Sequence, residues 1–193
     1  MPRTDVLIAG SGSAGIFAAT WLAIYNIPFT ILESRSGPLQ IGQADGVQCR
    51  TVEIYESFGL SEDLLREAHH ILEVCFWGVD EQNPKSAGIT RKSRSIDTER
   101  GLSHLPHVIL NQARMNGLMV GKMQHILKQK KGRGEILYGW KVNSVQVDSG
   151  QTGDSNAYCC EVTAEREGNA EVWQAKYVLV SAEDLGKLPT DPI

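Results

Sequence analysis

The period of apolar and polar positions changes from block to block along this chain. After Asp5, Val6-Leu7-Ile8-Ala9 is a continuous apolar run of strand length, the pattern of a strand covered on both faces. Gly10-Ser11-Gly12-Ser13-Ala14-Gly15 follows, then an apolar helical stretch, then a second short run, Phe29-Thr30-Ile31-Leu32-Glu33. Beyond a polar loop over 34–46, helical spacing returns over 51–58 and Gly59 stops it. Ser61 reads as an N-cap, with Glu62 and Asp63 in the first turn. Residues 72–78 alternate like a strand, and the polar stretch 80–104 reads as exposed loop or loose hairpin. A short strand over 106–110 leads into a helix over 112–130, closed by Gly132 and Gly134. On that helix Met115, Leu118, Met119, Met123, Ile126 and Leu127 recur at helical spacing as core filler.

The last third changes character. Runs over 135–148, 157–166 and 172–180 read as three strands of an antiparallel meander. The final Tyr177-Val178-Leu179-Val180 is apolar throughout and predicts a buried strand returning to a parallel sheet. The expected fold class is α/β: a Rossmann-like domain over 1–180 with a parallel sheet and a β-meander crossover, then a divergent tail over 181–193.

The order strand, glycine turn, helix, strand, acid is the dinucleotide-binding βαβ fingerprint. Glu33 lies 18 residues beyond Gly15, as that fingerprint asks. Gly10 permits the tight turn, Gly12 lets a pyrophosphate approach the backbone, and Gly15 allows helix and strand to pack closely. The helix start at Ser13 and Ala14 offers N–H groups and the positive end of a dipole to phosphate. Glu33 can accept hydrogen bonds from ribose hydroxyls.

Composition changes the picture little. With 193 residues, 41% hydrophobic and 22% charged, the chain has the make-up of one globular domain. No apolar run reaches membrane-spanning length, and Pro2-Arg3-Thr4 leads straight into a strand instead of a signal peptide, so a cytoplasmic location is expected. Cys49, Cys75, Cys159 and Cys160 have neither CxxC nor zinc spacing, so no metal is expected. Cys159 and Cys160, adjacent in a strand, should point to opposite faces. Four of the five histidines, His69, His70, His104 and His107, show no partners for metal or triad geometry. The net charge of −4 combines +9 over 85–133 with −13 elsewhere. That basic stretch reads as a solvated loop and helix end; lacking interleaved aromatics, it is no nucleic-acid platform.

Two further stretches carry a resemblance. Gly42-Gln43-Ala44-Asp45-Gly46-Val47-Gln48-Cys49-Arg50-Thr51-Val52-Glu53-Ile54 resembles a signature of the FAD-dependent aromatic hydroxylases, closest to the fungal phenol 2-monooxygenase type. Leu105-Pro106-His107-Val108-Ile109-Leu110-Asn111-Gln112-Ala113-Arg114 resembles a second stretch of that family, and all three segments lie in the family's order. The resemblance implies FAD as cofactor, NADPH as co-substrate, a small phenolic substrate, and a chain that is the N-terminal FAD-binding portion of a longer enzyme. It implies that Arg50 directs its guanidinium at the pyrophosphate and that Gln112 hydrogen-bonds the ribityl or phosphate region. Gln43 and Asp45 would border flavin and substrate. Asp45 is then the candidate catalytic residue, and its other reading is a plain Asp-Gly turn. Arg35 either reaches the adenosine end or is solvated.

Where the family continues with a Gly-Cys-Asp-Gly-like motif, this chain has Ser181-Ala182-Glu183-Asp184. The expectation is a catalytically incomplete FAD-binding module. A non-catalytic nucleotide-binding regulator or partner subunit, an NAD(P)-dependent oxidoreductase, and a homodimer of this chain stay open as alternatives.

Overall fold

The computed structural model describes residues 1–42, 44–81 and 88–181. In chain order the elements are β1 (Arg3–Ala9), α1 (Ser13–Ile24), β2 (Phe29–Glu33), β3 (Gly46–Val47), α2 (Cys49–Ser57), α3 (Ser61–Glu67), β4 (His69–Ile71), β5 (Glu73–Val79), β6 (Ile89–Ile96), β7 (His107–Ile109), α4 (Gln112–Lys130), β8 (Gly134–Tyr138), β9 (Lys141–Val147), β10 (Cys160–Arg166) and β11 (Asn169–Val180). They divide into two compact units, one of Met1–Ile41 with the residues from Asn116 onward, the other of Gly42–Met115.

The first unit is built on a six-stranded sheet in the order β8-β2-β1-β11-β10-β9. β1 runs parallel to β2, with Val6 opposite Phe29 and Ala9 opposite Leu32, and parallel to β11, with Ala9 opposite Val180. Both faces of β1 and β2 are covered, which is why their sequences do not alternate. Leu7, Ala9 and Leu32 pack with Val162 and Trp173 on one side. Ile8, Phe29 and Ile31 pack with Ala19, Ala23 and Met123 on the other. Met119 and Met123 are fully buried, as their spacing predicted.

Three strand expectations need correction. The run 135–148 is two strands: Gly139, at φ +80°, turns the chain between β8 and β9. β8 then joins β2 in parallel, leaving β9, β10 and β11 as the antiparallel meander. The end of β11 is not buried, because pairing with β10 stops at Ala175; beyond it Tyr177, Leu179 and Val180 are exposed. Cys159 and Cys160 do not diverge, because Cys159 precedes β10 and both thiols turn to the Lys176 carbonyl. At the end of α4, Lys131 adopts φ +51° and the Gly132 N–H bonds the Leu127 carbonyl. Gly134 already belongs to β8, where a Cβ would overlap the Phe29 ring.

The second unit carries a three-stranded sheet, β3-β7-β4, a two-stranded sheet of β5 and β6, and the helices α2 and α3. Val47, Val52, Tyr55, Leu64 and Val108 are buried. Gly59, at φ +68°, ends α2 as expected. Ser61 is the first residue of α3 rather than its cap, a position taken by Leu60, while Glu62 and Asp63 stand in the first turn. Within the stretch read as exposed loop or loose hairpin, Ile89–Ile96 is β6, paired antiparallel to β5. Its basic side chains meet acids there, Arg94 pairing with Glu73 and Lys92 with Glu81.

Candidate functional site

At the carboxyl end of β1 the Gly10 N–H donates to the Leu32 carbonyl at 2.8 Å, so the turn starts anchored to β2. Gly10 has φ +102°, a left-handed backbone that only glycine adopts freely. Gly15 is fixed by packing: a Cβ there would overlap the Gly10 carbonyl oxygen and stand 2.8 Å from the Ser181 hydroxyl. Gly12 differs from both. Its φ −68° and ψ 178° suit any residue, and a Cβ would meet only the Ser181 carbonyl oxygen, at 3.8 Å, an ordinary contact. Among the described residues, no packing contact requires glycine at this position. The space beside it is what a phosphate against the backbone needs. Gly12 is also the N-cap of α1, and no side chain caps that helix. The positive end of the helix dipole therefore faces the same place.

Glu33 closes the turn from β2. One carboxylate oxygen accepts from the Ser11 N–H at 2.7 Å, the Ser11 hydroxyl at 2.8 Å and an Arg35 terminal nitrogen at 2.9 Å. The other accepts from the Arg35 N–H at 2.8 Å and Arg35 Nε at 3.1 Å. Burial opposes ionisation of Glu33, but the donors on Arg35 and Ser11 outweigh it and lower its pKa to about 2. Arg35 is thus the partner of Glu33 and only partly solvated.

Two residues missed in the sequence complete this turn. The Ser181 hydroxyl bonds the Ala9 and Gly10 carbonyls at 3.0 and 2.9 Å, clamping the end of β1. The Ser13 hydroxyl donates to Asn116 Oδ1 on α4 at 2.9 Å, while Asn116 Nδ2 is buried without a partner. Their partners lie 171 and 103 residues away, so no local signal could reveal them.

The remaining candidates belong to the second unit. Arg50 stands at the second position of α2, its side chain 83% exposed and paired with Glu53 at 3.1 Å. Gln112 opens α4, and a Cβ on Gly42 would come within 2.7 Å of it. Asp45 is exposed, and its carbonyl accepts from the Leu110 N–H at 2.9 Å. Gln43 lies outside the described residues, as do 182–193 and with them the altered motif after Ser181. His107 has a carboxylate partner that the sequence did not reveal. Its Nδ1 lies 3.0 Å from Asp97 Oδ2, both side chains largely buried, and its Nε2 is 3.5 Å from where a Cβ on Gly46 would stand. The Asp97–His107 pair therefore faces Gly46, the residue after Asp45. Among the described residues no group of three or more His, Cys, Asp or Glu could hold a metal ion, and no helix is long and apolar enough to cross a membrane.

Comparison with known proteins agrees with this geometry. A family model described as an FAD binding domain matches residues 3–182. The FAD-dependent monooxygenase terD of Aspergillus terreus is 51% identical over 181 residues, 93% of this chain and 28% of that protein. The 3-hydroxybenzoate 4-monooxygenase of Comamonas testosteroni is 40% identical over 92% of this chain and 27% of its own length. Phenol 2-monooxygenase fsqG of Aspergillus fumigatus is more distant, 29% identical over 94 residues. The chain thus spans less than a third of the length of these relatives. Among solved structures, the flavin-dependent monooxygenase PieE, in complex with FAD and substrate, superimposes with a TM-score of 0.72 at 20% identity, over 92% of this chain and 30% of its own. The p-nitrophenol 4-monooxygenase PnpA of Pseudomonas putida gives 0.73 at 18% identity, over 97% and 44%.

Proposed function

The chain belongs to the FAD binding domain family of flavin-dependent monooxygenases, and from that premise we propose that it holds FAD through its ADP half for hydroxylation of a phenolic substrate, with NADPH as reductant. Gly12 carries this reading. Among the described residues it is a glycine that neither backbone conformation nor packing demands, at a helix start with no side-chain cap. A pyrophosphate against the backbone accounts for it. The phosphates would be held by Gly10, Gly12, Ser13, Ala14 and Gly15, and the adenosine ribose by Glu33, with Arg35 beside it. Because protein donors already surround Glu33, ribose hydroxyls can reach it only when a donor yields its place.

In the second unit, Arg50 offers phosphate a fork-shaped donor in water's reach. Gln112 would serve the ribityl or phosphate region. Asp45, with Gln43 two positions before it in the sequence, is placed in this reading at the flavin and substrate end, and Asp97 orients His107 towards Gly46, the residue after Asp45. Bound FAD supplies the oxygen chemistry, and the share of these residues is to bind and orient it and to hold a proton near the phenol. The names of the relatives favour a phenolic acid or a related phenol as substrate.

The test is titration with FAD and with ADP, followed by flavin fluorescence and calorimetry. Gly12→Val should leave the thermal midpoint unchanged and remove binding of both ligands. Parent-like affinity in that variant, with its fold intact, would refute the assignment of the phosphate site.

A further inference from the structure

Cys159 and Cys160 take no part in the nucleotide turn, yet they are arranged as a pair. Neighbours in an extended strand point apart. Here both Sγ atoms approach one acceptor, the Lys176 carbonyl, at 3.6 and 3.5 Å, and they stand 4.0 Å from each other. A disulfide would need them at about 2.05 Å. Two bonds of about 2.3 Å to one larger atom put sulfurs roughly 3.8 Å apart at a tetrahedral angle and roughly 3.4 Å apart at the narrower pyramidal angle of a trivalent metalloid, so this pair has only to close by a fraction of an ångström to share one. Cys159 also lines a cleft of about 170 Å³, bounded by Gln146, Asp148, Tyr158 and Glu161. A reagent entering it meets Cys159 first and Cys160, only 7% exposed, behind it.

We propose that Cys159 and Cys160 form a vicinal dithiol site that captures a soft trivalent metalloid, with organic arsenicals as the ligand class. With an aryl arsenoxide the exchange is a condensation. Two S–As bonds form, the As=O bond and both S–H bonds break, and the oxygen leaves as water with the two thiol protons. Arsenic stays trivalent and no charge is created. That neutrality selects the metalloid over a divalent cation. Burial, reinforced by the neighbouring Cys159, pushes the Cys160 thiol up to about 11, so a cation would first have to strip a reluctant proton. Among the described residues no third ligand completes a cation site.

The experiment exposes the folded 193-residue chain to phenylarsine oxide in excess glutathione, a monothiol that clears single-thiol adducts. Intact mass and thiol titration should show one phenylarsenical per chain and two of the four thiols lost. A small 1,2-dithiol should reverse it. Cys159→Ala, a change at the more accessible position, should weaken retention at least about a hundredfold, because bridging makes the second bond intramolecular. Cys49→Ser with Cys75→Ser should leave retention unchanged. Parent-like retention by Cys159→Ala, an adduct mapped to Cys49 or Cys75, no adduct on the folded chain, or tighter capture of zinc ion than of the arsenical would each overturn the proposal.

Discussion

Glu33 is a buried carboxylate kept ionised by neighbours two positions along the chain and across the glycine turn. Its pKa falls from an unfolded value near 4.5 to about 2 in the folded chain, so its stabilisation is complete above the unfolded value and disappears as pH falls through the folded one. A shift of that size corresponds to roughly 3 kcal/mol. Urea unfolding should therefore show Glu33→Gln well below the parent at about pH 6 and the gap narrowing towards about pH 3. A gap independent of pH would mean that the carboxylate's charge is not what the turn uses. The same turn shows what is legible at this scale. Gly10, Gly12, Gly15 and Glu33 are visible in sequence because backbone geometry, close packing and the proposed phosphate contact fix residue type at fixed spacing. The pairing of Arg35 with Glu33 is not, since an arginine two residues from an acid is equally a solvated one. Gly15→Ala and Gly12→Ala look alike on paper, yet only the first places a Cβ onto a backbone oxygen.

Helix α4 is the element that the sequence announces best, its observed limits coinciding with the expected 112–130. Apolar spacing marks its buried face, and the Asn111 side chain bonds the Ala113 N–H at 2.9 Å near its start. What cannot be read is what α4 holds. Through Asn116 it ties the first turn of α1, so Ser13→Ala would leave a 4% exposed amide with no partner on either atom. The expected cost is about 1–3 kcal/mol, measured by urea unfolding, and an unchanged midpoint would show the tie to be dispensable. The strand after α4 was misread for a physical reason. Apart from Lys141, residues 136–142 are apolar or glycine, and the single glycine, Gly139, in the left-handed region is enough to redirect them. The bonds that hold this turn, Gly139 N–H to Arg35 carbonyl and Trp140 N–H to Glu33 carbonyl, come from the far side of the sequence. The sequence announces β5 over 72–78 but leaves β6 open between loop and loose hairpin, because these strands carry mixed charge and exposed apolar residues, Phe76, Trp77 and Ile89 among them, with no buried face.

At the scale of the whole molecule, the α/β class was legible and the strand order was not, because parallel pairing leaves no trace in local pattern. Strand β1 has β2 as one neighbour, twenty-odd positions away, and β11 as the other, with Arg3 opposite Gln174. Its glycine turn is clamped from that second side by Ser181. This arrangement has a consequence in time. Pairing across so long a loop is slow to close, and a chain emerging from the ribosome makes the phosphate turn first and its clamp some 170 residues later. The helices and the local β2 contact can form while the turn is still open on one edge. In refolding from urea, far-UV ellipticity should recover ahead of the capacity to bind ADP. Simultaneous recovery of both signals would mean that β1 and β11 meet early. If ellipticity leads, the glycine turn, synthesised long before its clamp, is among the last parts to become competent.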